Sequence, residues 1–280
     1  MRNEKIKKKK MKNSKQALRS VLKYFLSYVM IVLILSPLII YGVGFGVDQY
    51  ILGNEGAYDS VMNSNLLDDL ILIIGNLLII VLFIKKKYTN LNLSENLLTR
   101  ISKYKSVFLW ACILELSSIL PINLLVVSLD LSDYSQAIAS QETVSFLGVL
   151  GACVFAPFAE ELVMRGGIEE KLLQWKSNAT IAILLSSFLF AILHVYPSFI
   201  IGTFLSALLT GWVYYRTRNV MVCFFMHFTN NAVSCLVDWL RPVDTIGPDS
   251  IFQTKILIIA IFSLFFMVAS LSNLKRNTSV

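Results

Sequence analysis

Residues 24–46 read YFLSYVMIVLILSPLIIYGVGFG, a stretch without one charged side chain. About 20 apolar residues in a helix are enough to cross the hydrocarbon core of a bilayer. Such a run must be helical, because lipid offers no partner for open backbone groups. The whole chain is 56% hydrophobic and 15% charged, with a mean hydropathy of +0.66. Soluble domains average about 25% charged residues, so the composition excludes a soluble globular protein.

Further apolar blocks follow the first one along the chain, which predicts an all-α polytopic membrane protein with a bundle of eight transmembrane helices. The blocks are residues 24–46, 70–84, 106–129, 143–164, 178–196, 198–215, 219–240 and 256–271.

The basic residues predict the orientation of these helices. If eight helices alternate in direction, 23 of the 25 Lys and Arg residues fall on one side of the membrane, and only Arg241 and Lys255 fall on the other. Such an excess marks the cytosolic side, so we expect both termini in the cytosol. The basic arm before the first block is expected to contact anionic lipid, and no nucleic-acid partner is expected.

The first polar cluster lies in the fourth block, where residues 156–166 read APFAEELVMRG. Ionisable side chains are costly inside a bilayer and are therefore functional candidates. Glu161 and Arg165 are four residues apart with the acid first, which favours a helical ion pair. Glu160 is rotated by about 100° from Glu161 on a helix and faces elsewhere. A partly desolvated carboxylate of this kind can act as a general base near neutral pH.

Both histidines of the chain fall inside apolar blocks. His194 follows Phe190 by four residues, so the two share a helical face. His227 and Asn231 have the same spacing on a later block. An imidazole and an amide on one face can both donate to a developing oxyanion. Asn230 points about 100° away and is expected to make a helix–helix hydrogen bond.

The elements Glu-Glu-x-x-x-Arg, Phe-x-x-x-His and His-x-x-x-Asn, in this order over residues 144–240, resemble the type II CAAX prenyl protease and bacteriocin-processing (CPBP, or Abi) family. That resemblance implies an intramembrane endopeptidase in which Glu160 activates water with the help of His194. It further implies that His227 and Asn231 bind the oxyanion. Glu161, Arg165 and Phe190 would play supporting roles.

The resemblance also divides the chain. Residues 1–23 are expected to form a basic cytosolic arm, 24–141 a front membrane region with helices 1–3, 142–241 the catalytic core with helices 4–7, and 242–280 the last helix and a cytosolic tail. Met164 stands where the family often has Phe, and Phe228 where a small residue is common.

No cofactor is favoured, because a glutamate-activated water and a His–Asn oxyanion site need no metal. Zinc is the alternative, and Glu160, His194 and His227 would then be its ligands. The predicted depths of Glu160 and His194 in the bilayer do not agree, which is a depth problem for a shared site. With these blocks Glu160 lies near the cytosolic end of helix 4, but His194 lies near the outer end of helix 5. Either helix 4 continues past Gly166, or residues 168–175 dip into the bilayer.

Two other functions fit parts of the pattern. A catalytically idle scaffold of the same family could act in bacteriocin self-immunity or sensor regulation. A transporter could use buried acids and histidines as a proton relay, but the inverted repeat typical of that class is absent from the sequence. Abundant Lys, Asn and Ile indicate an AT-rich bacterium, so we expect the bacterial cytoplasmic membrane and a peptide or membrane-protein substrate.

Overall fold

The computed structural model describes residues 2–47, 65–89, 104–129, 131, 145–176, 178–194, 196–240 and 250–278. All regular structure within these ranges is helical, which confirms the all-α class. One helix corresponds to each predicted apolar block. They are α1 (Arg2–Tyr28, π-helical Val29–Leu35 and Ser36–Val47), α2 (Asn65–Lys85), α3 (Lys105–Ser128), α4 (Phe146–Leu150, π-helical Gly151–Phe155, Ala156–Glu161, π-helical Leu162–Glu169 and Glu170–Lys176), α5 (Ala179–Ala191), α6 (Pro197–Thr217), α7 (Val220–Leu240) and α8 (Ser250–Asn277).

The number of helices that could cross a membrane differs from the prediction. Seven helices of the described part, α1–α4 and α6–α8, contain a stretch that is long and apolar enough. The remaining one, α5, has 13 residues and rises about 20 Å, whereas the hydrocarbon core is about 30 Å thick. The chain is thus a multi-pass membrane protein, but its predicted count of eight spans is not confirmed.

Helix α4 is longer than the apolar block that predicted it. The block ended at Met164, and residues 165–176 were counted as a cytosolic loop with three basic residues. In the structure the helix continues to Lys176, and Arg165 is fully buried within it. Of the two solutions to the depth problem, the continued helix is the one observed. Arg165 is therefore not a loop charge and does not belong in the orientation argument.

The chain folds as two compact units, and the first comprises residues 1–91 and 143–182. In this unit α1 lies antiparallel to α4. The indole of Trp175 donates to the hydroxyl of Ser14 near one end of the pair, and the hydroxyl of Tyr28 reaches Glu160 further along. The α1 residues that face inward recur every three or four positions, as a helix packed along one side requires. They are Ala17, Val21, Tyr24, Tyr28 and Val32.

Helix α2 packs beside α4 in the parallel direction. Asp69 near its start accepts a hydrogen bond from Ser145, which also caps α4 by accepting from the backbone N–H of Gly148 at 2.8 Å. At the other end, Phe83 of α2 approaches Gly167. These contacts near both ends fix the register of the two helices.

Two of the π-helical stretches precede prolines. Pro37 and Pro157 each lie two residues after such a stretch ends. A proline inside a helix lacks an N–H and clashes with the carbonyl four residues earlier, which belongs to Leu33 in α1 and to Cys153 in α4. Both carbonyls lie within the π-helical turns, where the hydrogen-bond register is shifted.

The second unit comprises residues 92–142 and 183–280. Its buried apolar core is built from α3, α6, α7 and α8 and contains Val107, Phe108, Ala111, Leu114, Val213, Val222, Met226 and Leu274. Outside this core, α8 leaves Ile261, Phe262, Phe265 and Val268 more than half exposed. Apolar side chains exposed over this length are typical of a surface that meets lipid.

Some predictions fall on residues that the structure does not describe or does not test. In the predicted topology, eight acidic residues fall on the side opposite to most of the basic residues, and all of them lie outside the described residues. They are Asp48, Glu55, Asp59, Asp130, Asp133, Glu142, Asp244 and Asp249. The boundaries of the four predicted regions stay predictions, although the arm of residues 1–23 is helical from Arg2 onwards.

Candidate active site

Glu160 lies on the short α-helical segment Ala156–Glu161, which has a π-helical stretch on each side. π-helical turns are rare and are often found at functional sites. The side chain of Glu160 is half-buried, and its Oε1 accepts a hydrogen bond of 3.0 Å from the hydroxyl of Tyr28. Tyr28 belongs to α1 and is only 4% exposed. The sequence did not reveal this partner, because 132 positions separate the two residues.

The neighbouring acid has different partners, as the predicted rotation between the two positions requires. Arg165 Nε donates to Glu161 Oε2 at 3.1 Å, so the predicted ion pair is present. Arg165 Nη1 also reaches Glu169 Oε2 at 3.5 Å. All three residues are at most 1% exposed. Glu169 was missed because it was assigned to a loop, although its spacing of four residues from Arg165 would have identified it on a helix.

The histidines form a separate group in the second unit. The ring of Phe190 lies edge-on to the ring of His194, with centroids 5.5 Å apart, and to the ring of His227, with centroids 5.7 Å apart. Such T-shaped arrangements are favourable for aromatic rings. Phe190 thereby lies between two imidazoles that are far apart in sequence, which is consistent with the supporting role predicted for it.

The sequence predicted that His194 lies within a helix, but in the structure it lies outside one. Helix α5 ends at Ala191, and His194 follows in a turn, with its backbone N–H donating to the carbonyl of Ala191 at 3.0 Å. Its ring atom Nδ1 is buried and has no hydrogen-bond partner among the described protein atoms. Buried polar atoms almost always have a partner, so this nitrogen is suited to bind water or a substrate group.

Asn231 lies one turn after His227 on α7 and is half-buried. Its Oδ1 accepts a hydrogen bond of 3.3 Å from Nδ2 of Asn230. That contact stays within one helix, whereas a helix–helix bond was expected of Asn230. An amide whose oxygen is held by its neighbour directs its own N–H groups elsewhere, which is the orientation an oxyanion donor needs.

A further buried acid lies in the second unit and was given no role from the sequence. Glu115 on α3 is 1% exposed, and its Oε1 accepts a hydrogen bond of 2.8 Å from Ser206 on α6. The signal that could have identified it is that it is the one acid in its apolar block. The bond joins two helices, so Glu115 contributes to helix association.

The donor set can be compared with the needs of zinc, which takes at least three protein ligands in catalytic sites. Within the described ranges, no three His, Cys, Asp or Glu side chains are grouped so that they could hold a metal ion. In the second unit, the two imidazoles adjoin a phenyl ring rather than a third ligand. Those residues by themselves do not complete a zinc site.

The predicted site residues fall into two groups. Glu160, Glu161 and Arg165 belong to the first unit, and Phe190, His194, His227 and Asn231 to the second. The roles assigned to the residues stay predictions.

Buried ionisable groups on helices of membrane-spanning length define a polytopic membrane protein with a polar interior. Residues 142–233 match the family model "Type II CAAX prenyl endopeptidase Rce1-like". The matched region contains all three motifs, so the resemblance predicted from them is confirmed. The match supports the CAAX protease family, which is generally a family of proteases. No curated protein and no solved structure was found to match the chain.

Proposed function

We propose that the chain is an intramembrane endopeptidase that hydrolyses a peptide or membrane-associated protein with a glutamate-activated water. The observation that carries this proposal is that two adjacent acids, Glu160 and Glu161, have different surroundings. Glu161 is buried against Arg165, whereas Glu160 is half-buried and meets a neutral hydroxyl donor. The buried ion cluster is formed by Glu161, Arg165 and Glu169. It does not require Glu160.

In the proposed reaction Glu160 and His194 hold a water molecule, and Glu160 takes one of its protons. The oxygen attacks the scissile carbonyl carbon, and the N–H donors of His227 and Asn231 stabilise the oxyanion that forms. The proton then passes to the leaving amine as the C–N bond breaks, which regenerates the carboxylate. No step requires a metal ion, and zinc held by Glu160, His194 and His227 is the alternative.

Helix lengths give the distance along the chain from the α4–α5 connection to Glu160 on one side and to the turn with His194 on the other. Glu160 precedes the end of α4 at Lys176 by sixteen residues, which is a rise of about 24 Å. Helix α5 starts three residues later and rises about 20 Å to Ala191. Measured along each helix from their connection, Glu160 and the turn with His194 are therefore at comparable distances.

The turn after α5 also supports access of water. Non-helical backbone at membrane depth is tolerated only where protein buries it or where it lines a water-filled cavity. Residues 192–194 form such a turn after a helix too short to cross the bilayer. A hydrated cavity at His194 would satisfy this backbone and supply the water that hydrolysis consumes.

The residue usage of an AT-rich bacterium indicates the substrate class and the location. Prenylated CAAX proteins are not expected in such a cell. We propose a leader-bearing peptide, pheromone or bacteriocin precursor as the substrate, cleaved in the bacterial cytoplasmic membrane.

The test compares new protein termini in membranes that contain the wild-type protein, Glu160→Gln or Glu170→Gln. Glu170 is on the same helix, and its carboxylate accepts a hydrogen bond from the surface residue Gln174, so Glu170→Gln is the matched control. We expect termini that appear with wild type and Glu170→Gln and are absent with Glu160→Gln. The same termini in Glu160→Gln would contradict the proposal. Repeating the wild-type reaction after chelation separates the metal-free reaction from the zinc alternative.

A further inference from the structure

Tyr28 is outside the region that matches the protease family, yet its hydroxyl donates to the proposed base. Residues 142–233 carry the family match, and Tyr28 is on α1, far ahead of it. The O–H to Oε1 distance of 3.0 Å is an ordinary hydrogen bond. Tyr28 is 4% exposed, so bulk solvent does not compete for this contact.

The register between α1 and α4 brings the hydroxyl to this position. Tyr24, one turn before Tyr28, packs against Gly167, where an added Cβ would come within 3.1 Å of the Tyr24 ring. Trp175 donates to Ser14 further along the same pair. Three successive contacts therefore fix the axial register of α1 along α4. The contact between Tyr28 and Glu160 is the last of them.

A π-helical stretch adjoins this contact on each helix. The π-helical stretch of α1 begins at Val29, directly after Tyr28, and that of α4 begins at Leu162, two residues after Glu160. π-helical turns are rare and often found at functional sites, so their position beside both residues is consistent with a functional contact.

We propose that Tyr28 is a positioning residue for Glu160, so that the front helix α1 completes the active site of the protease core. The inference rests on the proposed function. The hydroxyl holds one carboxylate oxygen in place and thereby fixes the rotation of the carboxyl group. A base held in this way presents the same lone pair to the water in every turnover, which is the geometric requirement of general base catalysis.

The kinetic test uses Tyr28→Phe, which removes only the hydroxyl, and Tyr24→Phe as the matched control. Tyr24 lies on the same buried face, but its ring packs on Phe83 and Tyr88. With a substrate found by the comparison of termini, we expect kcat of Tyr28→Phe to fall about 10- to 100-fold, the range seen when a partner of an active group is removed. KM and the melting temperature should stay as in wild type, and Tyr24→Phe should keep full kcat.

A second measurement does not depend on activity. The infrared carboxyl band of Glu160 is assigned from the difference between wild type and Glu160→Gln, and we expect it to shift in Tyr28→Phe but not in Tyr24→Phe. 4-Aminophenylalanine at position 28 keeps a donor on the ring and should restore both the band and kcat. If Tyr28→Phe fails to fold, the band is compared between wild type and 4-fluorophenylalanine at position 28.

The outcomes separate this inference from the proposed function. Full kcat in Tyr28→Phe, an unshifted band, or a fall in kcat matched by an equal loss of melting temperature would overturn the positioning role while leaving the protease intact. A shifted band in a protein that cleaves nothing would support the contact between Tyr28 and Glu160 and refute the protease.

Discussion

Arg165 carries a fully buried charge between two carboxylates, Glu161 at 3.1 Å and Glu169 at 3.5 Å. Removing one partner of a buried ion pair leaves an uncompensated charge, which typically costs about 3–5 kcal/mol. We therefore expect Arg165→Ala to lower the thermal stability of the detergent-solubilised protein by a large margin and to reduce its folding yield. Lys171→Ala on the same helix is the control, since Lys171 donates to Gln174 near the surface. A well-folded, fully active Arg165→Ala would refute the structural role.

Asn231 is expected to act on the transition state rather than on the fold. Its amide oxygen is held by Asn230, and its N–H groups are proposed to bind the oxyanion. Loss of one oxyanion donor typically lowers kcat about 10²–10³-fold. Asn231→Ala should therefore lose turnover by about that factor with an unchanged melting temperature. Ser234→Ala is the control because Ser234 is exposed and its hydroxyl donates to the carbonyl of Asn230 in its own helix. Equal turnover in the two variants would remove Asn231 from the mechanism.

At the residue scale, the sequence reveals contacts within one helix more readily than contacts between helices. The Glu161–Arg165 pair follows from spacing alone, as does the shared face of Phe190 and His194. By contrast, Tyr28 meets Glu160 across 132 positions, and nothing in a tyrosine among apolar residues indicates its partner. Long-range partners require the register of two helices, which a single sequence does not specify.

At the element scale, the approach of α2 and α1 to α4 depends on the absence of a side chain at Gly167. A Cβ there would lie 3.1 Å from both Phe83 and Tyr24. Overpacking of this kind typically costs about 1–3 kcal/mol. Gly167→Leu should thus lower the melting temperature in detergent, and Phe83→Ala in the same chain should restore part of the loss. Gly42→Leu on α1 is the control, because nothing lies within 4 Å of its added Cβ. An unchanged melting temperature in Gly167→Leu would contradict the packing.

Apolar blocks predict where helices occur but not where they end. The fourth block stops at Met164 because charged residues follow. The helix nevertheless continues to Lys176, and the charge of Arg165 in its interior is compensated by Glu161 and Glu169. The fifth block appeared long enough to span because Ile192 and Leu193 are apolar, but the backbone turns there. Hydropathy measures the cost of burying each residue by itself. Where a helix ends depends in addition on the ion-pair partners of its charged side chains and on its backbone hydrogen bonds.

At the scale of the whole molecule, basic residues from different helices lie close together within each unit. The ammonium group of Lys23 lies over the ring of Tyr88. Tyr88 directly follows the run of lysines at the end of α2. In the other unit, Arg216 at the end of α6 bonds to Thr278 and to the carbonyl of Lys275 after α8. Such ends are typical of the cytosolic side, which supports both termini being cytosolic.

Cysteine labelling of a cysteine-free variant tests this orientation. We expect a bulky, membrane-impermeant maleimide to label cysteines placed at Ala57 and Ile246 in intact cells. Cysteines at Asn90 and Ser279 should react only after permeabilisation, because the basic loops stay inside. Labelling of Ser279→Cys in intact cells would refute the cytosolic C-terminus.

The connection between α5 and α6 decides how many helices truly cross the membrane. A 13-residue helix that starts at the cytosolic face rises about 20 Å and ends inside a hydrocarbon core of about 30 Å. Since α6 carries the chain back, the side on which the C-terminus lies is the same whether or not this turn reaches the outer surface. If it stops inside beside a hydrated cavity, Val195→Cys should react with a small, water-soluble thiosulfonate but not with the bulky maleimide from either side. Maleimide labelling of Val195→Cys in intact cells, at the rate seen for Ala57→Cys, would mean that the turn reaches the outer surface, restore the eighth span, and remove the argument that the turn lines a cavity.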